Sequence, residues 1–233
     1  MDQAACMKLA AEHAVDKYVR SNTLVGIGTG RTANYATRRI AEHIRSGRLT
    51  NVTGVSTSEA SSSLMKELGI PSREMDECVT LDVAIDGTDA FDDELNLIKG
   101  GGGALFREKL VELAAKQLVI VADESKRAKG HLLEAFKLPV EIVHFGLSST
   151  IRRVYKQYEG VIKSWKLREN ADGSVYKTDN NNVIMDICFA PTNLKQLDDG
   201  LKSIHGVVCS GLFIGMASAV VVARSDGSLQ LLP

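Results

Sequence analysis

Through the first half of this chain, short apolar and mostly β-branched runs alternate with helix-length segments, and that alternation limits the available folds. Residues 24–27, 52–56, 81–85 and 118–122 read as strands; 3–20, 33–45, 58–68 and 104–116 read as helices. Gly69 and then Pro71 close the third helix. Strands separated by whole helices cannot pair through tight hairpins, so they lie parallel and are joined by right-handed crossovers. The expected fold is α/β, a Rossmann-like and mostly parallel sheet flanked by helices.

From about residue 132 the texture changes. A strand at 140–143, a helix at 148–158 and strands at 162–167 and 183–188 precede a helix at 193–203, for which Thr192 is the expected cap. Two such strand–helix units with hairpin turns predict a smaller α+β lobe of ferredoxin-like type. The expected division is a main domain of 1–131 and 206–233 carrying the active site, and a lobe of 132–205. The tail, from Gly211-Leu-Phe-Ile through 219–223 to 227–232, reads as strands returning to the main sheet.

The formal net charge of −1 offers no general attraction for nucleic acid, and no apolar run reaches the ~18–20 residues that cross a bilayer. The first residues, Met1-Asp-Gln-Ala-Ala-Cys-Met-Lys, lack the apolar core of a secretory signal. Cys6, Cys78, Cys188 and Cys209 include no CxxC pair, and the five histidines show no HxH or HExxH spacing. Dispersed thiols of this kind predict no disulfide and no metal site, in a reducing, cytoplasmic compartment.

Chemistry-bearing residues gather where strands end, the edge at which open α/β sheets bind ligands. After the first strand comes Gly26-Ile-Gly-Thr-Gly-Arg-Thr, in which Thr29, Gly30, Arg31 and Thr32 offer backbone amides, hydroxyls and a full charge to an anion. With Arg31 and Ala33 in place, the run is neither GxGxxG nor GxxxxGK[ST], so a single phosphate fits better than a nucleotide. After the third strand, Asp86-Gly87-Thr88-Asp89 sets two carboxylates around a glycine, suited to the hydroxyls of a sugar. Lys99 leads into Gly100, Gly101, Gly102 and Gly103, an entropically expensive run that suits backbone meeting a ligand. Lys126 follows the fourth strand. On the helix after the glycines, Phe106, Leu110, Leu113 and Gln117 recur at helical spacing, and the three apolar ones mark the expected core stripe. Glu108 lies about 160–200° away from it, facing either solvent or a cleft.

Together, Gly28-Thr-Gly-Arg-Thr, Asp86-Gly-Thr-Asp, Lys99-Gly-Gly-Gly, Arg107-Glu-Lys and Ala122-Asp-Glu-Ser-Lys closely resemble the ribose-5-phosphate isomerase family of type A, in order and over nearly the whole chain. The resemblance implies interconversion of D-ribose 5-phosphate and D-ribulose 5-phosphate through an enediol, in the non-oxidative pentose phosphate pathway, without metal or organic cofactor. It matches Glu108 to the proton-shuttling base and Asp86, Asp89 and Lys99 to residues around the reacting end of the sugar. Residues 29–32 match the substrate loop, Lys126 a further substrate contact, and Lys8 a lysine that approaches the phosphate. The resemblance also implies a homo-oligomer, dimer or tetramer.

The chemistry suits the residues. One carboxylate can carry a proton between neighbouring carbons, while a lysine or loop amides meet the charge that develops on oxygen. Asp86 or Asp89 relays the hydroxyl proton. Two positions depart from the family pattern: Arg31 stands where Ser is usual, and Ala90 where Glu often follows the DGxD motif. The competing expectations are a CoA transferase, whose glutamate would attack a thioester, and a non-catalytic sugar-phosphate sensor.

Overall fold

A computed structural model describes residues 1–233. The helices are α1 (Gln3–Tyr18), α2 (Arg31–Arg45), α3 (Glu59–Leu68), α4 (Leu105–Leu113), α5 (Leu132–Ala135), α6 (Leu147–Tyr158) and α7 (Leu194–Lys202). The strands are β1 (Thr23–Ile27), β2 (Val52–Ser56), β3 (Val83–Gly87), β4 (Ala90–Phe91), β5 (Leu97–Ile98), β6 (Leu118–Asp123) and β7 (Leu138–Ile142). They continue with β8 (Ile162–Leu167), β9 (Val183–Phe189), β10 (Val207–Ser210), β11 (Leu212–Phe213), β12 (Ala219–Ala223) and β13 (Leu229–Leu232). The chain divides into one unit of residues 1–88, 107–126 and 216–233, and another of 89–106 and 127–215. Residues 89–106, 127–131 and 206–215, expected with the main domain, cluster with the second unit.

The first unit is built on a six-stranded sheet in the order β13-β12-β6-β3-β1-β2. All neighbours from β12 to β2 are parallel, and only the hairpin partner β13 runs antiparallel at the edge. All six residues of β6 are buried, as a strand covered on both faces requires. Asp2 caps α1 by accepting from the Ala5 amide at 2.8 Å. The helix buries Cys6, Ala10, Ala14 and Val15 against the sheet, a narrow face that permits close packing. Ser58 and Ser61 form a reciprocal capping box on α3, and Gly69 ends that helix in the left-handed region at φ +72°. Strand order reverses between β1 and β3: β2 lies on one side of β1, and every later strand lies on the other.

The second unit follows β7-α6-β8-β9-α7-β10, and its four-stranded antiparallel sheet has the order β10-β7-β9-β8. This is the split βαβ arrangement expected from the sequence. One face packs Leu138, Val140, Ile142, Val183, Met185, Ile187 and Phe189 under α6 and α7. The helix α7 is capped by Asn193, which accepts from the Gln196 amide at 2.9 Å, rather than by Thr192. Leu212–Phe213 does not return to the main sheet; it pairs with β5 in a small β11-β5-β4 sheet within this unit. Two-residue strands of this kind have no period to reveal them in a sequence.

Candidate active site

In the first unit, the candidate residues cluster at the switch between β1 and β3, where a doubly wound sheet leaves a crevice at its carboxyl edge. Asp86 is the next-to-last residue of β3 and is 1% exposed. Its Oδ1 accepts from the amides of Thr29 at 3.0 Å and Gly87 at 2.6 Å. Two amide donors to one carboxylate oxygen offset much of the desolvation of the charge and fix its direction. The backbone of Gly28 passes so close that a Cβ there would lie 2.1 Å from that same oxygen, so only glycine fits. The Thr29 hydroxyl is 2.7 Å from both the Thr57 and Ser58 hydroxyls, tying the loop after β1 to the loop after β2. Sequence reading did not single out Thr57 and Ser58; their place directly after the second strand was the available signal.

Helix α2 begins at Arg31, two residues before the expected start, so Arg31 and Thr32 form its first turn and Gly30, at φ +104°, is its N-cap. Backbone amides of this turn point away from the helix, which makes its N-terminus a fitting end for an anion. Thr32 faces Gly87 across the switch, its Cβ 3.7 Å from where a Cβ on Gly87 would be. Arg31 is exposed and lines an open hollow of about 270 Å³ with Gln3, Tyr35 and Arg38. Lys126 ends a single helical turn after β6 and is half-buried. Just before it, Asp123 accepts from the Ser125 amide and hydroxyl. Lys8 extends from α1 toward solvent and pairs with Glu12 at 3.7 Å.

Glu108 occupies the first turn of α4 and is 5% exposed. The expected core stripe on this helix is wrong: Leu110 and Leu113 are 44% and 64% exposed, whereas Leu105, Glu108, Val111 and Glu112 are buried. Val111, one turn after Glu108, packs with Val55 and Leu81. It approaches β1 so closely that a Cβ on Gly26 would meet its Cγ1 at 2.9 Å. Packing at Val111 thus sets the rotation of the helix, and Glu108 shares the inward face. Of its two possible orientations, the solvated one is excluded.

In the second unit, Asp89 begins the path through β4 and β5 to the glycine loop. Its amide donates to the Ile98 carbonyl at 2.9 Å, and its Oδ2 accepts from the Gly101 amide at 2.6 Å. Lys99 is 2% exposed; its amide donates to the Gly211 carbonyl at 2.9 Å, and its ammonium lies 5.5 Å from the Phe213 ring centroid. Buried cations need such neighbours, because full desolvation of an ammonium is prohibitive. Gly100 is buried, while Gly101 and Gly102 are exposed. The four cysteines are free thiols.

Three comparisons bear on this arrangement. Residues 53–227 match the model of the family described as ribose 5-phosphate isomerase A (phosphoriboisomerase A). Ribose-5-phosphate isomerase A of Sinorhizobium fredii is 42% identical, covering 97% of this chain and 96% of its own. That of Deinococcus radiodurans is 43% identical over 99% of both. Among solved structures, ribose 5-phosphate isomerase from Plasmodium falciparum superposes with a TM-score of 0.94 at 36% identity, covering 98% of each chain. A D-ribose-5-phosphate isomerase in complex with phospho-erythronic acid gives a TM-score of 0.93 at 30% identity, covering 100% of this chain and 99% of that one.

Proposed function

Because the chain belongs to the ribose 5-phosphate isomerase A family, we propose that Glu108 is the base that moves the proton between the two reacting carbons of the sugar. The protein is an isomerase acting on ribose 5-phosphate. The observation carrying the assignment of the base is the burial of Glu108 on the packed face of α4, beside Val111 and away from solvent.

The steps follow from the functional groups. The Glu108 carboxylate removes the proton on C2 of the open-chain aldose, and the electron pair moves through the C1–C2 bond onto the carbonyl oxygen O1. Protonation of O1 gives the enediol. Loss of the O2 proton then restores a carbonyl at C2 as Glu108 returns its proton to C1, giving D-ribulose 5-phosphate. A single carboxylate serves both carbons because they are one bond apart. Lys99 and the amides of Gly100 and Gly102 stabilise the charge on oxygen, while the Gly101 amide holds Asp89 in place. Asp86 or Asp89 relays the hydroxyl proton, each held in place by the amides that donate to it.

At the other end of the sugar, the phosphate takes the first turn of α2, with Thr29, Gly30, Arg31 and Thr32 as its donors and Lys126 as a further contact. Gly87 and Thr88 complete the sugar's surroundings. The protein works in the non-oxidative pentose phosphate pathway of the cytoplasm, as a homodimer or homotetramer, and the exposed Leu110 and Leu113 give such an assembly apolar surface. No helix is long and apolar enough to cross a membrane.

Turnover of D-ribose 5-phosphate in deuterated water by EDTA-treated protein tests the proton transfer. Deuterium appearing at C1 of ribulose 5-phosphate supports an enediol with an exchanging base. Retention of protium alone fits a shielded base returning its own proton, so the refuting result is full retention together with undiminished turnover by Glu108→Gln, which points to direct hydride transfer.

A further inference from the structure

The ferredoxin-like sheet of the second unit buries its main apolar cluster on one face, while the other face mixes a small cluster of Leu105, Ile184 and Cys209 with buried charge. Its strands alternate, so the other face presents Glu141 from β7 and Ile184 and Asp186 from β9. Asp186 is buried to 1% side-chain exposure. Its two oxygens accept from Arg168 Nε at 3.0 Å, from Arg168 Nη2 and from Lys137 Nζ at 2.8 Å. Burial alone would raise its carboxyl, but the Arg168 and Lys137 donors outweigh that and hold it below the ordinary range. Asp186 is therefore a fixed anion, and Arg168, directly after β8, is locked against it in a fork geometry.

The remaining arm of that guanidinium reaches the glycine loop. Arg168 Nη1 donates to the Gly100 carbonyl at 2.8 Å and to the Gly101 carbonyl at 3.1 Å. Tyr176 lies against Arg168, its ring centroid 5.9 Å from the guanidinium carbon, and its hydroxyl donates to the Gly102 carbonyl at 3.3 Å. Gly103, at φ +90°, lies so close that a Cβ would meet the Tyr176 hydroxyl at 2.3 Å. Three consecutive carbonyls thus turn toward one clamp. In a planar trans peptide the N–H points opposite to the C=O. Holding the Gly100 carbonyl sends the Gly101 N–H toward Asp89, which accepts it at 2.6 Å. Holding the Gly101 carbonyl directs the Gly102 N–H away from Arg168 in the same way, at a position where even an added Cβ would meet nothing within 4 Å.

We propose that Arg168, braced by Asp186 and seated on Tyr176, is a positioning residue that orients the peptide planes of Gly100–Gly103 and aims the Gly102 amide at the sugar phosphate. The assignment rests on the reading above that this loop contacts substrate. Arg168 itself touches no reacting atom. It acts by fixing peptide planes that glycine leaves otherwise unrestrained; with the Gly101 amide on Asp89 and the Gly103 amide on the Gly100 carbonyl, the Gly102 amide is the preset donor.

The test compares Arg168→Met, Arg168→Lys and Tyr176→Phe with the parent. It reads KM and kcat for D-ribose 5-phosphate, Kd for 4-phospho-D-erythronate, and hydrogen exchange of peptides covering 99–106. Arg168→Met is expected to raise KM and the Kd of phospho-erythronate by about tenfold, equivalent to one lost charge-assisted bond, with kcat falling by a similar factor because the same amide meets the charge that develops on oxygen. Exchange of the loop rises, Arg168→Lys restores part of the loss, and Tyr176→Phe weakens binding about threefold. A folded Arg168→Met protein with unchanged KM and Kd overturns the proposal. Should that variant not fold, parent-like KM, Kd and exchange in both Arg168→Lys and Tyr176→Phe overturn it equally. Failure of the underlying reading looks different: phospho-erythronate would then leave exchange at 99–106 unchanged in the parent itself.

Discussion

Gly28→Ala tests whether the crossing of β1 over Asp86 sets the geometry of the site. The added methyl would lie 2.1 Å from Asp86 Oδ1 and 2.7 Å from the Asp86 Cα, both inside ordinary contact. The carboxylate can rotate away, but the Cα belongs to the central strand β3 and can move only with the sheet. Overpacking of this kind costs about 1–3 kcal/mol. Rotating the carboxylate also breaks its bonds to the Thr29 and Gly87 amides, each contributing about 1.5–3 kcal/mol as bonds to a charged group. Partial relaxation shares these costs, so the expected loss is about 3–4 kcal/mol. In a chain of this size that lowers the apparent Tm by roughly 6–16 °C. Differential scanning fluorimetry, with kcat on the surviving protein, measures both consequences. Activity is expected to fall more than stability alone explains, because Asp86 is displaced. A Tm within 2 °C of the parent together with parent-like kcat would show that Gly28 does not set the position of Asp86.

Other consequences are as direct. Asp16 on α1 accepts from Arg39 on α2 at 2.8–2.9 Å, and the Arg39 bonds, with help from His43, lower its carboxyl to about 2 against the desolvation of partial burial. A lowered carboxyl stabilises the fold above its unfolded value near 4 and loses that contribution as pH falls toward 2. The full shift corresponds to about 2.4 kcal/mol, which solvent screening at this part-exposed site reduces to about 1 kcal/mol. Asp16→Asn should therefore melt about 2–4 °C below the parent at pH 6, and the gap should close between pH 4 and pH 2; a constant gap across that range counts against the ion pair. On α4, Leu105→Ala should cost about 2–5 kcal/mol, whereas Leu113→Gln should change the stability of dilute protein by less than about 0.5 kcal/mol. Equal losses from the two in denaturant titrations would restore the stripe expected from the sequence.

Much of the fold was legible because burial on both faces of a parallel sheet leaves continuous apolar strands, and crossovers need helices between them. The ferredoxin-like order was legible from the succession of its elements alone. Helix α4 shows where periodicity misleads. It carries apolar residues at 106, 110 and 113, but its buried face includes Glu108 and Glu112, and hydrophobic spacing marks only the apolar positions. A site that buries carboxylates reverses the pattern that ordinarily identifies a core face. The glycine loop was recognised, but its clamp was not. Arg168 is 68 residues from Gly100 in the chain, and nothing local in either segment announces a bond between a side chain and that carbonyl. Thr57 and Ser58 were missed for a milder reason, since small hydroxyl residues after a strand also serve as ordinary helix caps.

Proton transfer centres on Glu108, and the most direct measurement is kcat of Glu108→Gln on D-ribose 5-phosphate beside the EDTA-treated parent, with KM from the same curves. Gln keeps the shape and removes the base. With Glu108 as the base, kcat falls about 10²–10⁴-fold, while KM stays within a few-fold of the parent. A kcat within about threefold of the parent would contradict that role, and the proton would then be carried by another of the buried carboxylates, with Asp86 the next to test.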